Sequence, residues 1–294
     1  MRFLTYGSTN IDLIFTVDHI LEGGETLQSS NLVKSAGGKG ANQSTALAKA
    51  GAEVYHAGKI GEDGAFLLDL LCSWGVDTRY VRSYDGATGQ ALIQVDRNGQ
   101  NAIILYGGGN KAITIEEIEE TLDDFGDGDM LVLQNEIVHT AHLITSAKER
   151  GMRVCMNIAP FDPSVFDLPL DLLDLLVVNE IEGAALAEME GGSPFEAILD
   201  RLVARYPTTE ILLTVGADGS YYGFASNRIH QPIIEAEVVD TTAAGDTYIG
   251  YYLAAIGRGY SPKEAMYRAT KASAITVSQS GAMASIPYAQ EVFD

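Results

Sequence analysis

The chain has 294 residues, 46% hydrophobic and 20% charged, which is enough apolar material for a substantial core and too much for wholesale disorder. Its 19 Lys and Arg stand against 40 Asp and Glu, and a formal net charge of -21 repels the phosphates of nucleic acids and anionic membranes. Cys72 and Cys155 lack metal or redox spacing, MRFLTYGSTN is no signal peptide, and no apolar run approaches the ~18 residues of a membrane span, so a globular protein of the reducing cytoplasm is expected.

Taken in chain order, the first apolar run leads into GSTNID, residues 7–12. Asn10 and Asp12 lie two apart, so in an extended chain they share a face and can bind adjacent hydroxyls of a polyol; a plain turn is the other reading. Residues 11–35 and 88–106 are strand-like, with turn signals at Gly23-Gly24 and Asn98-Gly99 and no helix-length segment inside either. They predict a small antiparallel sheet projecting from the main body, able to close over a site or to pair with a second copy. In between, GGKGANQ (37–43) opens a small-residue helix that runs to Ala50 and stops at Gly51. Gly38 admits close backbone approach, while Lys39 and Asn42 offer donors to sugar hydroxyls or to developing charge. The motif is no Walker A, because Gly40 stands where Ser or Thr is required, and no GxGxxG, because Gln43 takes the last glycine position.

From residue 130 onward, strand-length apolar runs at 130–133, 154–156, 175–178 and 211–215 alternate with amphipathic stretches such as 138–150 and 194–205. That pattern predicts βαβ crossovers and a parallel sheet covered on both faces, an α/β architecture. In VVNEIEG, Asn179 and Glu182 have the spacing of a helix cap and capping box, and the same acid could hold Mg²⁺ through water. LLTVGADGS places Thr214, Gly216 and Gly219 after a buried strand, in a β-turn that could receive nucleotide phosphates. Last comes DTTAAGDTYIGYYLAAIG, 240–257, in which Ala243, Ala244 and Gly245 are small enough for a phosphate to approach the free amides of a helix start. Asp246 is then either a first-turn acid favoured by the helix dipole or a base that takes a proton from a hydroxyl attacking that phosphate; in both readings it stays ionised.

The order and spacing of GGKGANQ, NxxE, TxGxxG and DTTAAGD resemble the ribokinase branch of the PfkB carbohydrate kinases, over residues 7–287. The resemblance implies a single three-layer αβα domain over 1–294, with a β-sheet lid from about 11–35 and 88–106, sugar beneath the lid and ATP along the strand ends. It implies sugar contacts at Asn10, Asp12, Gly38, Lys39, Asn42 and Glu136, with Asp246 as the base and Ala243, Ala244 and Gly245 as the anion hole. Asn179, Glu182, Thr214, Gly216 and Gly219 fall on the nucleotide and Mg²⁺ side, Glu182 acting through water. Asp240, Thr242, Thr276, Gln279, Gly281 and Ser285 would surround a monovalent cation, usually K⁺, largely through carbonyls. The implied activity is transfer of the ATP γ-phosphoryl group to a sugar, foremost ribose, by a homodimer joined through its lid.

Several positions depart from that pattern. Gly23 precedes Gly24-Glu25-Thr26 where Pro-Gly-Glu-Thr is usual, Asn135 precedes Glu136 where an apolar residue is usual, and Ala243 stands where Gly is frequent. Gln90 follows Thr88-Gly89 where an aliphatic residue is common. A polar group facing the sugar at position 90 could read an extra hydroxyl, which leaves a ketohexose, deoxyribose or a nucleoside open as substrate. Outside the kinases, a non-catalytic sugar or nucleotide sensor would have no need of Asp246, and a dinucleotide oxidoreductase would need glycines that GSTNID lacks.

Overall fold

A computed structural model describes residues 1–293. The chain runs through strands β1 (Arg2–Tyr6), β2 (Asn10–Thr16) and β3 (Asn31–Gly37), helix α1 (Lys39–Lys49), β4 (Glu53–Ile60), α2 (Ala65–Ser73), β5 (Asp77–Ser83), β6 (Gly89–Val95) and β7 (Asn101–Tyr106). It continues through α3 (Ile115–Leu122), β8 (Met130–Gln134), α4 (Thr140–Glu149), β9 (Arg153–Asn157), β10 (Leu175–Asn179), α5 (Glu180–Leu186) and α6 (Phe195–Arg205). Then follow β11 (Glu210–Thr214), β12 (Ser220–Phe224), β13 (Asn227–Gln231), α7 (Ala244–Gly257) and α8 (Pro262–Val277).

The main sheet has nine strands in the order β13-β12-β11-β10-β9-β8-β1-β4-β5. The seven from β5 to β11 run parallel, and β12 and β13 close the edge antiparallel. A run such as MLVLQ in β8, buried at every position, makes sense only where both faces are covered. Leu131 and Leu133 point into a core shared with Leu143, Ile144, Leu199 and Leu202 of α4 and α6, while Val132 points into the opposite one with Leu47, Tyr251 and Met266 of α1, α7 and α8. Period-two alternation in the strands thus feeds two helical layers, as the αβα expectation requires. Connections go from β1 outward to β4 and β5, then return to place β8 on the other side of β1. The strand order therefore reverses beside β1, and an open α/β sheet forms a ligand crevice at the carboxyl ends of the strands there.

The smaller sheet has the order β3-β2-β6-β7. It is mixed rather than antiparallel throughout: β2–β3 and β6–β7 are antiparallel, but β2 and β6 pair in parallel. Each strand-like stretch folds back on itself as its turn residues direct, and the two first strands then lie side by side in the same direction. No helix among the described residues is long and apolar enough to cross a membrane.

One buried side chain ties the crevice to the sheet. His56 on β4 is fully buried, its Nε2 2.8 Å from Thr9 Oγ1 in the segment after β1 and its Nδ1 2.8 Å from Ser44 Oγ on α1. Burial holds its pKa down at about 4, against 6.5 in an unfolded chain. Between those values the unfolded state carries a proton that the folded state lacks, so this contribution to stability is complete above pH 6.5 and is lost as pH falls toward 4. Urea unfolding should show the stability advantage of the native chain over His56→Gln shrinking by about 3 kcal/mol between pH 7 and pH 4; an advantage independent of pH would mean that the imidazole is protonated in the fold.

Candidate active site

Two helix starts meet over the crevice. Gly38 has φ 95°, and a Cβ there would run into the Ser8 carbonyl; a Cβ on Gly40 would meet the backbone of Gly7. These glycines let the first turn of α1 rest on the segment leaving β1, where the Ala41 amide donates to the Ser8 carbonyl at 3.0 Å. Glu136, just beyond β8, accepts from the Ser8 hydroxyl and from the Lys39 amide at 3.2 Å, so three separate segments are joined at one carboxylate. Asn10 accepts from Asn110 Nδ2 at 2.7 Å, and Asn110 accepts from the Thr9 amide at 3.1 Å, which fixes Asn10 at the base of the small sheet.

Asp246 lies in the first turn of α7 and is buried. Its Oδ2 accepts from Asn42 Nδ2 at 2.8 Å and its Oδ1 from Gln43 Nε2 at 2.9 Å. Burial pushes its pKa above the ordinary carboxylate value, opposed by the charge of Lys39 and by the two amide donors. Loss of hydration outweighs all three. Burial also works against the Lys39 ammonium, yet the carboxylates of Asp246, Glu136 and Glu182 hold it above its usual value. Asp12, on β2, is raised to about 7 by burial and by the nearby Glu136 charge. Asn42 Oδ1 is buried without a hydrogen-bond partner among the described residues.

Two adjoining cavities fill the crevice. The polar one, about 250 Å³, is lined by Lys39, Asn157, Glu182, Ala243 and Asp246 among others. The larger, about 520 Å³, is lined mainly by apolar groups such as Ile233, Val238, Tyr248 and Val277, together with Gly216 and Gly219. Asn179, Thr214, Thr241 and Gly245 line both. Gly216 and Gly219 have φ values of 53° and 93°, and the turn they make brings Gly219 against the Gln231 carbonyl, which leaves no room for a side chain. Ala243 sits at φ 61°, the left-handed region that explains why glycine suits this position, at a cost of about 1 kcal/mol for alanine. Of the three predicted anion-hole amides, that of Ala244 donates to the Thr241 carbonyl at 3.2 Å, whereas no backbone acceptor among the described residues takes that of Gly245, a residue that lines both cavities.

The cap reading of VVNEIEG is realised in full. Asn179 Oδ1 accepts from the Ile181 and Glu182 amides at 2.9 and 2.8 Å, and Glu182 Oε2 accepts from the Asn179 amide at 3.0 Å. Both residues nonetheless line the polar cavity, so the capping box forms part of its wall. Behind α7, Asp240 accepts from the amides of Thr242 at 2.9 Å and Gly281 at 3.0 Å, and these donors keep its carboxyl below the ordinary range although burial opposes them. Thr276 donates to Thr247 at 3.2 Å and Gln279 donates to the Thr276 carbonyl, while Ser285 turns back on the Ala282 carbonyl. Among the described residues no group of three or more His, Cys, Asp or Glu could hold a metal ion unaided.

Gln90 does not share the face of Asn10 and Asp12. In the parallel pair, Asn10 lies opposite Gly89, Ile11 opposite Gln90 and Asp12 opposite Ala91. Laterally paired residues share a face, so Gln90 goes with Ile11 and it is Ala91 that shares the face of Asn10 and Asp12; one step of register decides this. Ser8, Gln43, Asn110 and Asn157 were not singled out in the sequence. Two of them carried a signal, Ser8 as the second letter of GSTNID and Gln43 as the last letter of GGKGANQ.

A description of the pfkB family carbohydrate kinases matches residues 2–289. A ribokinase of Staphylococcus aureus is 34% identical over 302 residues, covering 99% of this chain and 98% of the relative. A deoxyribokinase of Salmonella typhimurium is 30% identical over 297 residues, covering 98% and 96%. The structure of Arabidopsis thaliana ribokinase complexed with ribose and ATP superposes with a TM-score of 0.88 at 30% identity, covering 99% of this chain and 97% of that one. With one family pattern running along almost its whole length, and full-length relatives sharing about a third of its residues, this chain belongs to the pfkB family of carbohydrate kinases.

Proposed function

We propose that the chain is an ATP-dependent sugar kinase that converts ribose and ATP to ribose 5-phosphate and ADP, with Asp246 as the general base. The observation that carries this reading is a buried carboxylate at the start of α7, lining a polar cavity beside Gly245, whose amide has no backbone acceptor among the described residues, with a second, apolar cavity adjoining. Relatives named ribokinase and a similar structure holding ribose and ATP support the choice of sugar and nucleotide. The deoxyribokinase relative makes deoxyribose the second candidate.

In this mechanism Asn10, Asp12, Gly38, Lys39, Asn42 and Glu136 bind the sugar so that its primary hydroxyl lies between Asp246 and the 243–245 turn. The hydroxyl gives its proton to Asp246 as its oxygen attacks the γ-phosphorus. The bond from phosphorus to the bridging oxygen breaks, and its electron pair leaves with ADP. Charge on the moving phosphoryl group is met by the amides of 243–245, foremost Gly245, and by Lys39. The nucleotide occupies the apolar cavity, its phosphates passing Thr214, Gly216, Gly219 and Asn179. Glu182 would hold Mg²⁺ through water, and the ion would supply positive charge to the phosphates, since among the described residues no group of three or more His, Cys, Asp or Glu could hold it unaided. The oxygen groups of Asp240, Thr242, Thr276, Gln279, Gly281 and Ser285 suit a hard monovalent cation such as K⁺, which would supply positive charge behind the turn. The small sheet acts as a lid that excludes water, and its exposed Leu32, Ile103, Ile104, Leu105 and Tyr106 on the edge strands β3 and β7 favour a dimer made through the lid. A cytoplasmic location, where ATP is at hand, completes the reading.

Asp246→Asn should lower kcat by about 10²- to 10⁴-fold while leaving the KM for ribose nearly unchanged, in a coupled ADP assay run over ribose, deoxyribose, ketohexoses and nucleosides; near-normal turnover would remove Asp246 from the chemistry. The free Asp12 carboxyl near pH 7 gives a sign for binding: a protonated acid accepts sugar hydroxyls poorly, so calorimetric ribose affinity should rise as pH increases through about 7 and lose that rise in Asp12→Asn. Sedimentation should give a dimer that Ile104→Glu separates into monomers; a native monomer would rule out the lid interface.

A further inference from the structure

Behind Asp246 lies a buried file of carboxamides that no step of the transfer uses. Gln43 Nε2 donates to Asp246 Oδ1 at 2.9 Å and faces Asn157 Oδ1 at 3.5 Å, while Gln43 Oε1 accepts from Gln134 Nε2 at 2.7 Å. Asn157 Nδ2 donates to the Val177 backbone carbonyl at 3.3 Å. Gln43 and Gln134 are fully buried, and the members come from α1, β8, β9 and β10.

A carboxamide can turn over and exchange its oxygen for its amino group. A backbone carbonyl cannot donate, so Val177 makes Asn157 present its oxygen to Gln43, and Gln43 must answer with its amino group. If Gln43 turned over, its oxygen would face both the Asp246 carboxylate and the Asn157 oxygen, and its amino group would face that of Gln134. We propose that Gln43 is a positioning residue for phosphoryl transfer, held in one orientation by Asn157, which the Val177 carbonyl fixes, and supported by the Gln134 amide on its oxygen, so that an N–H always faces Oδ1 of the base. The proposal rests on the reading of Asp246 as that base. With Asn42 on Oδ2, the donor from Gln43 fixes the plane of the carboxylate and favours its ionised form in a site where hydration is lost. The charged group facing Asp246 is Lys39 of α1; Glu136 after β8 and Glu182 of α5 act on Lys39 in turn, and the β9 contributor, Asn157, is neutral.

The test compares kcat, ribose KM and the pH profile of kcat for the full chain and for Gln43→Leu, Gln134→Met and Asp246→Asn. Gln43→Leu should lower kcat by roughly 10- to 100-fold, keep ribose KM within about twofold, and move the acid limb of kcat upward by about one pH unit. Gln134→Met, whose native side chain touches neither Asp246 nor the polar cavity, should move the limb in the same direction by less, and it carries the test if Gln43→Leu does not fold. An acid limb that coincides with the native one in the folded variants, or a kcat loss matched by an equal rise in KM, overturns the positioning role. An inactive Asp246→Asn alongside unmoved limbs would overturn positioning alone, whereas an active Asp246→Asn would overturn the base itself.

Discussion

The site depends on keeping one carboxylate out of water without leaving it unpaired. A bare buried acid would cost several kcal/mol and would take up a proton instead. Asp246 is held by two carboxamides and by the field of Lys39, all three from the first turns of α1. They reach it because α1 and α7 pack closely: a Cβ on Gly250 would collide with Ala46. Gly250 lies one turn beyond Asp246 and Ala46 one turn beyond Asn42, so the small pair and the polar pair are successive contacts along the same two helices. Helix packing and carboxylate solvation are one constraint.

The same economy shapes the local charge. A chain with net charge -21 must receive a polyphosphate, and among the described residues Lys39 is the only cationic side chain that lines the polar cavity. Its ammonium keeps its charge because three acids surround it, and it moderates Asp246 in return. In the proposed mechanism backbone dipoles supply the rest, from the helix start at Gly245 and the turn at Gly216 and Gly219, which line the larger cavity. Such donors carry no net charge and leave the acidic surface unaltered.

Structural and ligand-facing roles coincide in several residues. Asn179 and Glu182 close the start of α5 and also face the cavity, so a cap in the sequence says nothing against a second task. Glu136 joins the segments after β1 and β8 to α1 before any ligand arrives. Asn135, polar where the family is usually apolar, bonds the Pro160 carbonyl at 2.9 Å and Asp162 at 3.0 Å, which turns its side chain toward the segment after β9.

Much of this was legible in the residues alone. Continuous apolar runs announce strands covered on both faces, glycines mark where helix starts approach other backbone, and the spacing of GGKGANQ and DTTAAGD names both halves of the polar site. Tertiary structure decided what depends on register and on contacts between distant segments. Gln90 parted from the face of Asn10 and Asp12 by one step of strand pairing, and β2 met β6 in parallel although each stretch folds as its own antiparallel pair. Asn42 and Asp246 are 204 residues apart, and the amides behind them come from separate strands and a helix. Periodicity and turn chemistry are properties of neighbouring residues and can be read along a chain, whereas the hydration, partners and proton affinity of a buried group are set only when remote segments close around it.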